Sequence, residues 1–176
     1  SATANTMAQV REKIVEYKNA ASRTAPSPCP LTHCPWCTTE LGRDSLSLQP
    51  SREKAEEVVV GCLSPTCAFS ARKDAAGIPV VFVDEQIYRE LPAFLVATVD
   101  KFAMLPGRGE TGMLFGRAKA REGRRFFGPL DAKPKKGAVL LPDGLRPPEL
   151  VVQDEIHLIT GALGTMVGLY ETAIEH

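Results

Sequence analysis

Long apolar runs are missing from this sequence. No stretch reaches the roughly 18 residues that a membrane-spanning helix requires, which excludes a chain anchored that way. A surplus of either charge is also missing. The 21 Lys and Arg balance the 21 Asp and Glu, so any surface for a polyanion must be a local patch. Ser1–Asn5 has neither the basic nor the apolar region of a signal peptide. The expectation is a cytoplasmic protein whose five cysteines serve as thiols or metal ligands, not disulfides. A phosphate-cradling Gly-x-Gly-Lys-Ser/Thr loop is absent too, since Gly107-Arg108-Gly109 is not followed by Lys-Ser or Lys-Thr. What remains is a chain of 176 residues with ordinary apolar and charged content, sized for one or two globular domains.

The cysteines are the first informative feature present. Cys34-Pro35-Trp36-Cys37 and Cys62-Leu63-Ser64-Pro65-Thr66-Cys67 give a C-x2-C pair and a C-x4-C pair, 24 residues apart. Two short cysteine loops flanking a hairpin-sized insert are how a zinc ribbon gathers four thiolates into a tetrahedron. The insert agrees: Leu46-Ser47-Leu48 alternates, and Glu57–Val60 reads as a strand leading into Cys62. Zn²⁺ held by Cys34, Cys37, Cys62 and Cys67 is therefore expected, in a structural role. A redox pair or free structural thiols are the competing readings, and Cys29 and His33 are spare ligand candidates.

Ahead of the cysteines, Thr6 and Gln9 form a capping-box pattern, and Met7, Val10, Ile14 and Tyr17 mark one helical face over about Met7–Ala21. Ser22–Pro30, with three prolines, reads as a linker. After the cysteines, Ile78–Val83 reads as extended chain. Asp84–Leu91 reads as a helix with an acidic first turn, ended by Pro92.

Two apolar runs, Ala93–Thr98 and Leu150–Val152, read as buried strands. The first leads to a short helix near Val99–Leu105, where Thr98 and Lys101 suit a phosphate site. The second leads to Asp154-Glu155-Ile156-His157, then to a helix marked by Val167, Tyr170 and Ile174. Two carboxylates at a strand end suit a hydrated Mg²⁺ on nucleotide phosphates and a water aligned for attack; a polar turn is the plainer reading. Between the runs lies Pro106–Pro147, with eight Lys and Arg against Glu122 and Asp131 over Arg117–Lys136. Arg121, Arg124 and Arg125, with Phe126 and Phe127 beside them, make this the best nucleic-acid candidate, against a merely solvated loop. Gly137–Leu141 reads as a short strand or packed loop segment.

The Asp-Glu-Ile-His string resembles motif II of superfamily 2 helicases. Together with Pro92–Leu105 and Pro147–Glu175, the chain looks like the first RecA-like lobe of such an enzyme. It is most similar in pattern to the helicase subunit of DISARM antiphage systems and related large helicases with a DUF1998 region. In that group a four-cysteine insert precedes an Ala-Thr-Val-Asp-Lys-Phe segment, here Ala97–Phe102. The resemblance covers about Cys34–Glu175 and departs at Ile156, usually Leu, and at Thr38, where knuckles commonly carry Gly. It implies an α/β fold: a partial RecA-like (P-loop NTPase type) parallel sheet with an inserted zinc ribbon. The implied division is a helix and linker over 1–28, the ribbon over 29–72 and the later half of the lobe over 73–176, with a basic loop over 106–147. It implies that Asp154 holds Mg²⁺ through water, Glu155 positions the hydrolytic water and His157 couples the nucleotide to the nucleic acid. Thr98 and Lys101 would face the tracked strand, with DNA favoured over RNA, ATP as the fuel and other defence-system subunits as partners.

With no phosphate loop, the chain is expected to be a piece of a larger motor that hydrolyses no ATP by itself. A zinc-ribbon module that binds nucleic acid or protein without chemistry fits that absence equally well. A metal-dependent hydrolase built on Asp154, Glu155 and His157 is the weakest reading, because no other ligand-type side chain clusters there in sequence.

Overall fold

The computed structural model describes residues 4–22, 25–73, 76–98, 109–131 and 137–152. The chain divides into two compact units, residues 2–87 and residues 88–176, with the boundary inside a helix.

In the first unit, helix α1 spans Met7–Asn19. Its start is set locally: the Thr6 side chain accepts from the Gln9 N–H at 3.3 Å, and Gln9 Oε1 accepts from the Thr6 N–H at 3.3 Å. The expected face is the one buried, through Met7, Val10 and Ile14, with Tyr17 packed at its edge. Strands β1 (Leu46–Gln49) and β2 (Glu57–Val60) form an antiparallel hairpin pairing Leu46 with Val60 and Gln49 with Glu57. Val10 and Ile14 share one core with Leu46, Val58, Val60, Ile78, Phe82 and Val83, and with Cys29, Cys34, Cys62 and Cys67. Burying side chains of this size stabilises by about 1.5–3 kcal/mol each, so a lobe with a short hairpin gains much of its core from α1.

The segment Ile78–Val83 bridges Val60 through Ile78 and Ala4 through Val83, but between them it is not continuously extended, since Val80 N–H donates to Ile78 O at 2.7 Å in a tight turn. It is aimed there by Gly77, whose φ of +66° and close approach to Val60 O leave no room for a side chain. Helix α2 (Asp84–Glu90) follows. Its Glu85 carboxylate accepts from the Met7 N–H at 2.8 Å, satisfying an otherwise orphaned donor of the first turn of α1. Its buried Gln86 acts like a strand residue. Oε1 accepts from the Val58 N–H at 3.0 Å and Nε2 donates to Val58 O at 3.2 Å.

In the second unit, a single helical turn α3 (Thr111–Leu114) precedes strands β3 (Ala120–Glu122), β4 (Arg125–Phe127) and β5 (Val139–Leu140). They form an antiparallel sheet in the order β4-β3-β5. β3 and β4 are joined by the two residues Gly123 and Arg124, with Gly123 at φ +59°. The stretch read from sequence as a basic loop is therefore, in its described part, a hairpin with a third strand.

Among the described residues, three expectations are not met. Both described sheets are antiparallel, so the described residues form a mixed α/β arrangement of small antiparallel sheets, without the RecA-like parallel sheet. Ala93–Thr98 is not a buried strand: its backbone is irregular and Phe94 is 84% exposed. Leu150–Val152 likewise forms no strand, and Leu150 and Val152 lie open. The reason is pairing. A strand is held by a neighbour that takes its N–H and C=O groups, and among the described residues neither run has one. The expected helix after Thr98 and the acidic turn and helix after Val152 lie outside the described residues.

Candidate metal centre and basic hairpin

The two cysteine loops meet at the ends of the β1–β2 hairpin. Cys34 N–H donates to Thr39 O at 2.8 Å and Thr38 N–H to Cys34 O at 2.9 Å, closing the first loop. The tight turn holds Thr38 at φ +60°, a position where such cysteine knuckles commonly carry Gly. In the second loop, Cys62 N–H donates to Phe69 O at 2.9 Å and Cys67 N–H to Ser64 O at 3.3 Å. Trp36 of the first loop meets Phe69 beyond the second edge-on, with ring centroids 5.9 Å apart.

These loops bring the Cys34, Cys37, Cys62 and Cys67 sulfurs within 4.8 Å of one another. Cys34 Sγ lies 3.9 Å from Cys67 Sγ, and Cys37 Sγ lies 3.5 Å from Cys62 Sγ. Both separations are far beyond a disulfide bond of about 2.05 Å. They bracket the edge of about 3.8 Å that a tetrahedron of sulfurs has around zinc at about 2.3 Å. The four are free thiols in a closed, largely buried set, a geometry consistent with zinc.

The local electrostatics also suit a cation. Backbone N–H groups of Thr39, Ser64 and Phe69 each point at the sulfur two residues earlier, stabilising its thiolate. The Thr39 hydroxyl, 3.3 Å from Cys37 Sγ, is the chief reason that the Cys37 thiol is lowered to about 6. Burial pushes Cys62 up to about 12 and raises Cys67 as well. Four thiolates cannot crowd together unaided, so a divalent cation binding here must displace protons from the set.

The spare candidates fall away from the cluster. Cys29 is a buried core thiol, its pKa raised by burial and eased by the Leu31 N–H. His33 is exposed, with Nδ1 3.0 Å from Thr32 Oγ1.

The nucleic-acid candidates are not equivalent. Thr98 and Arg121 are exposed. Arg124 is held by Glu90 at 2.6 Å. Arg125 is half-buried opposite Glu122 on β3. Arg89 of α2 stands over the Phe127 ring at 5.3 Å and pairs with Asp131, whose other carboxylate oxygen accepts from the Gly128 N–H at 2.6 Å. Sequence reading missed Arg89, Glu90 and Asp131 as hairpin anchors. Their only sequence signal was an acid inside a basic stretch. Lys101, Asp154, Glu155 and His157 lie outside the described residues. Among the described residues, no helix is long and apolar enough to cross a membrane.

No family model matches the chain. It is 41% identical over 149 residues to DISARM protein DrmA of Bacillus paralicheniformis, a match covering 81% of this chain. The chain is related to a DISARM protein. It spans 13% of that relative's length, so the likeness is to a segment. For this DISARM-related chain, the comparison supports the defence-system side of the resemblance read from sequence. The four-thiol cluster supports its metal side.

Proposed function

We propose that the chain is the zinc-bearing segment of a DISARM nucleic-acid motor of the superfamily 2 helicase type. The observation that carries this reading is the coincidence of a four-sulfur cluster with 41% identity to a DISARM protein across most of the chain. Zn²⁺ on Cys34, Cys37, Cys62 and Cys67 closes a lobe with little core of its own, which is a structural role. In the motor reading, Asp154 is the residue for the Mg²⁺ of bound ATP and Glu155 the residue for the attacking water. His157 is the residue that couples hydrolysis to the nucleic-acid side, and Thr98 and Lys101 are the residues for the tracked strand. DNA is the favoured substrate, and other defence subunits are the partners.

Elemental mass spectrometry of the reduced chain should give one zinc per chain, and none after Cys34→Ser. In the intact protein that carries this segment, Glu155→Gln should stop ATP turnover while sparing nucleotide binding. Turnover unchanged by Glu155→Gln would sink the motor reading.

A second reading has its own support: every described strand is antiparallel. In it the chain is a zinc-ribbon binding module without chemistry. The same Glu155→Gln variant separates the two, because a module loses nothing by it.

A further inference from the structure

The stretch entering β3 alternates with period two. Ala118 and Ala120 are 1% and 0% exposed, whereas Arg117, Lys119 and Arg121 are all exposed. Lys119 N–H donates to Phe127 O at 2.7 Å and Lys119 O accepts from the Leu141 N–H at 2.8 Å, so the chain is already held between the β4 and β5 sides at Lys119. The alternation of exposure leaves Arg117, Lys119 and Arg121 on the open side of the chain and Ala118 and Ala120 against the interior. The result is a group of three exposed cations within Arg117–Arg121.

The surroundings of this group favour a polyanion. Among the described residues, none of the three cations forms an ion pair, while the neighbouring Arg89 and Arg124 are held by Asp131 and Glu90. Glu122, the nearest acid in sequence, is set by the alternation on the opposite face and lies across from Arg125. Phe126 and Val139 are the cross-strand neighbours of Arg121, so the group is flanked by a half-buried aromatic ring and an exposed apolar side chain. Cations gathered on one side of a short stretch can neutralise neighbouring phosphates of a single strand. An aromatic ring beside them gives an unpaired base a surface on which to stack.

We propose that Arg117, Lys119 and Arg121 track the backbone of single-stranded nucleic acid, with Phe126 beside them as a stacking surface. The inference deepens the nucleic-acid part of the proposed function. It replaces Arg124 and Arg125 as the contacts in this hairpin.

The test is fluorescence anisotropy of a labelled oligothymidylate of about 20 nucleotides, titrated with the full chain, without ATP, across a salt series. Arg117→Ser, Lys119→Ser and Arg121→Ser combined should lower the slope of log K against log salt by about 2, since each phosphate contact to a single strand accounts for about 0.7. Phe126→Leu should weaken binding and leave the slope alone. Arg124→Gln should leave the slope alone. If the triple variant no longer melts cooperatively, Lys119→Ser and Arg121→Ser are read singly, each expected to remove about 0.7. A triple or single-variant slope equal to the parent's would overturn the proposal. So would an equal loss from Arg124→Gln, or a parent chain that binds poly-glutamate but not the oligonucleotide. Because no nucleotide is present, these outcomes stand apart from the Glu155→Gln result, and either inference can fail alone.

Discussion

The two units treat their apolar runs in opposite ways. In residues 2–87, Val58–Val60 is paired by β1 on one edge and by the Gln86 amide on the other, and is buried against α1. In residues 88–152, Phe94, Val96, Leu150 and Val152 are as apolar but lie exposed. Composition is therefore not what makes a strand. A run is buried where the chain supplies both a neighbour for its backbone and a face for its side chains. The cysteine lobe obtains both from elements close in sequence.

The largest effect should come from breaking the cluster that closes the first unit. Cys62→Ser should abolish both bound zinc and the cooperative thermal transition of residues 2–87. Cys29→Ser, at a position also buried but outside the cluster, should retain one zinc per chain and melt cooperatively. Equal losses in the two variants would show that burial, not the metal, is what matters. Next comes the shared core: Ile14→Ala should cost about 2–5 kcal/mol in denaturant unfolding of the same unit, if α1 is part of it. A cost near zero would make α1 an appendage.

Smaller effects sharpen the contrast. Thr38→Gly should stabilise the zinc-bound chain by about 1 kcal/mol, because a side chain at φ +60° is strained and Gly is not. The second unit should respond to acid. Hydrogen bonding from Arg89 lowers the Asp131 pKa below its ordinary value. The folded state thus binds the Asp131 proton less readily than the unfolded state does. The pair's contribution is complete above about pH 4 and is lost as pH falls through the lowered value. Both side chains are partly exposed, so that contribution is below about 1 kcal/mol. Arg89→Met should flatten this acid dependence in residues 88–152 and leave residues 2–87 unaffected.

What was legible in the sequence follows the same division. The capping box, the α1 face, the β1–β2 hairpin and the cysteine quartet rest on signals within a few residues of one another or on regular spacing. Even the Thr38 departure from Gly had its structural counterpart in a left-handed backbone. The Gln86 clamp was not legible, because its partner lies 28 residues away and nothing in a glutamine announces that it will imitate a strand. The β3–β4 hairpin could have been found. Gly123 sits between two three-residue strands, but charge drew attention away from the period-two burial around it. The roles given to Asp154, Glu155 and His157 rest on sequence resemblance alone, since those residues lie outside the described chain.

The contact between Trp36 and Phe69 makes the cluster optically visible. Trp36 is the only tryptophan in the chain, and it sits between two of the four cysteines. It is 69% exposed yet held edge-on against a ring on the far side of the second loop. Separating the two loops must detach the indole from that ring. Its emission then becomes an intrinsic dye for the state of the sulfur cluster, read without label while a chelator or an oxidant is added.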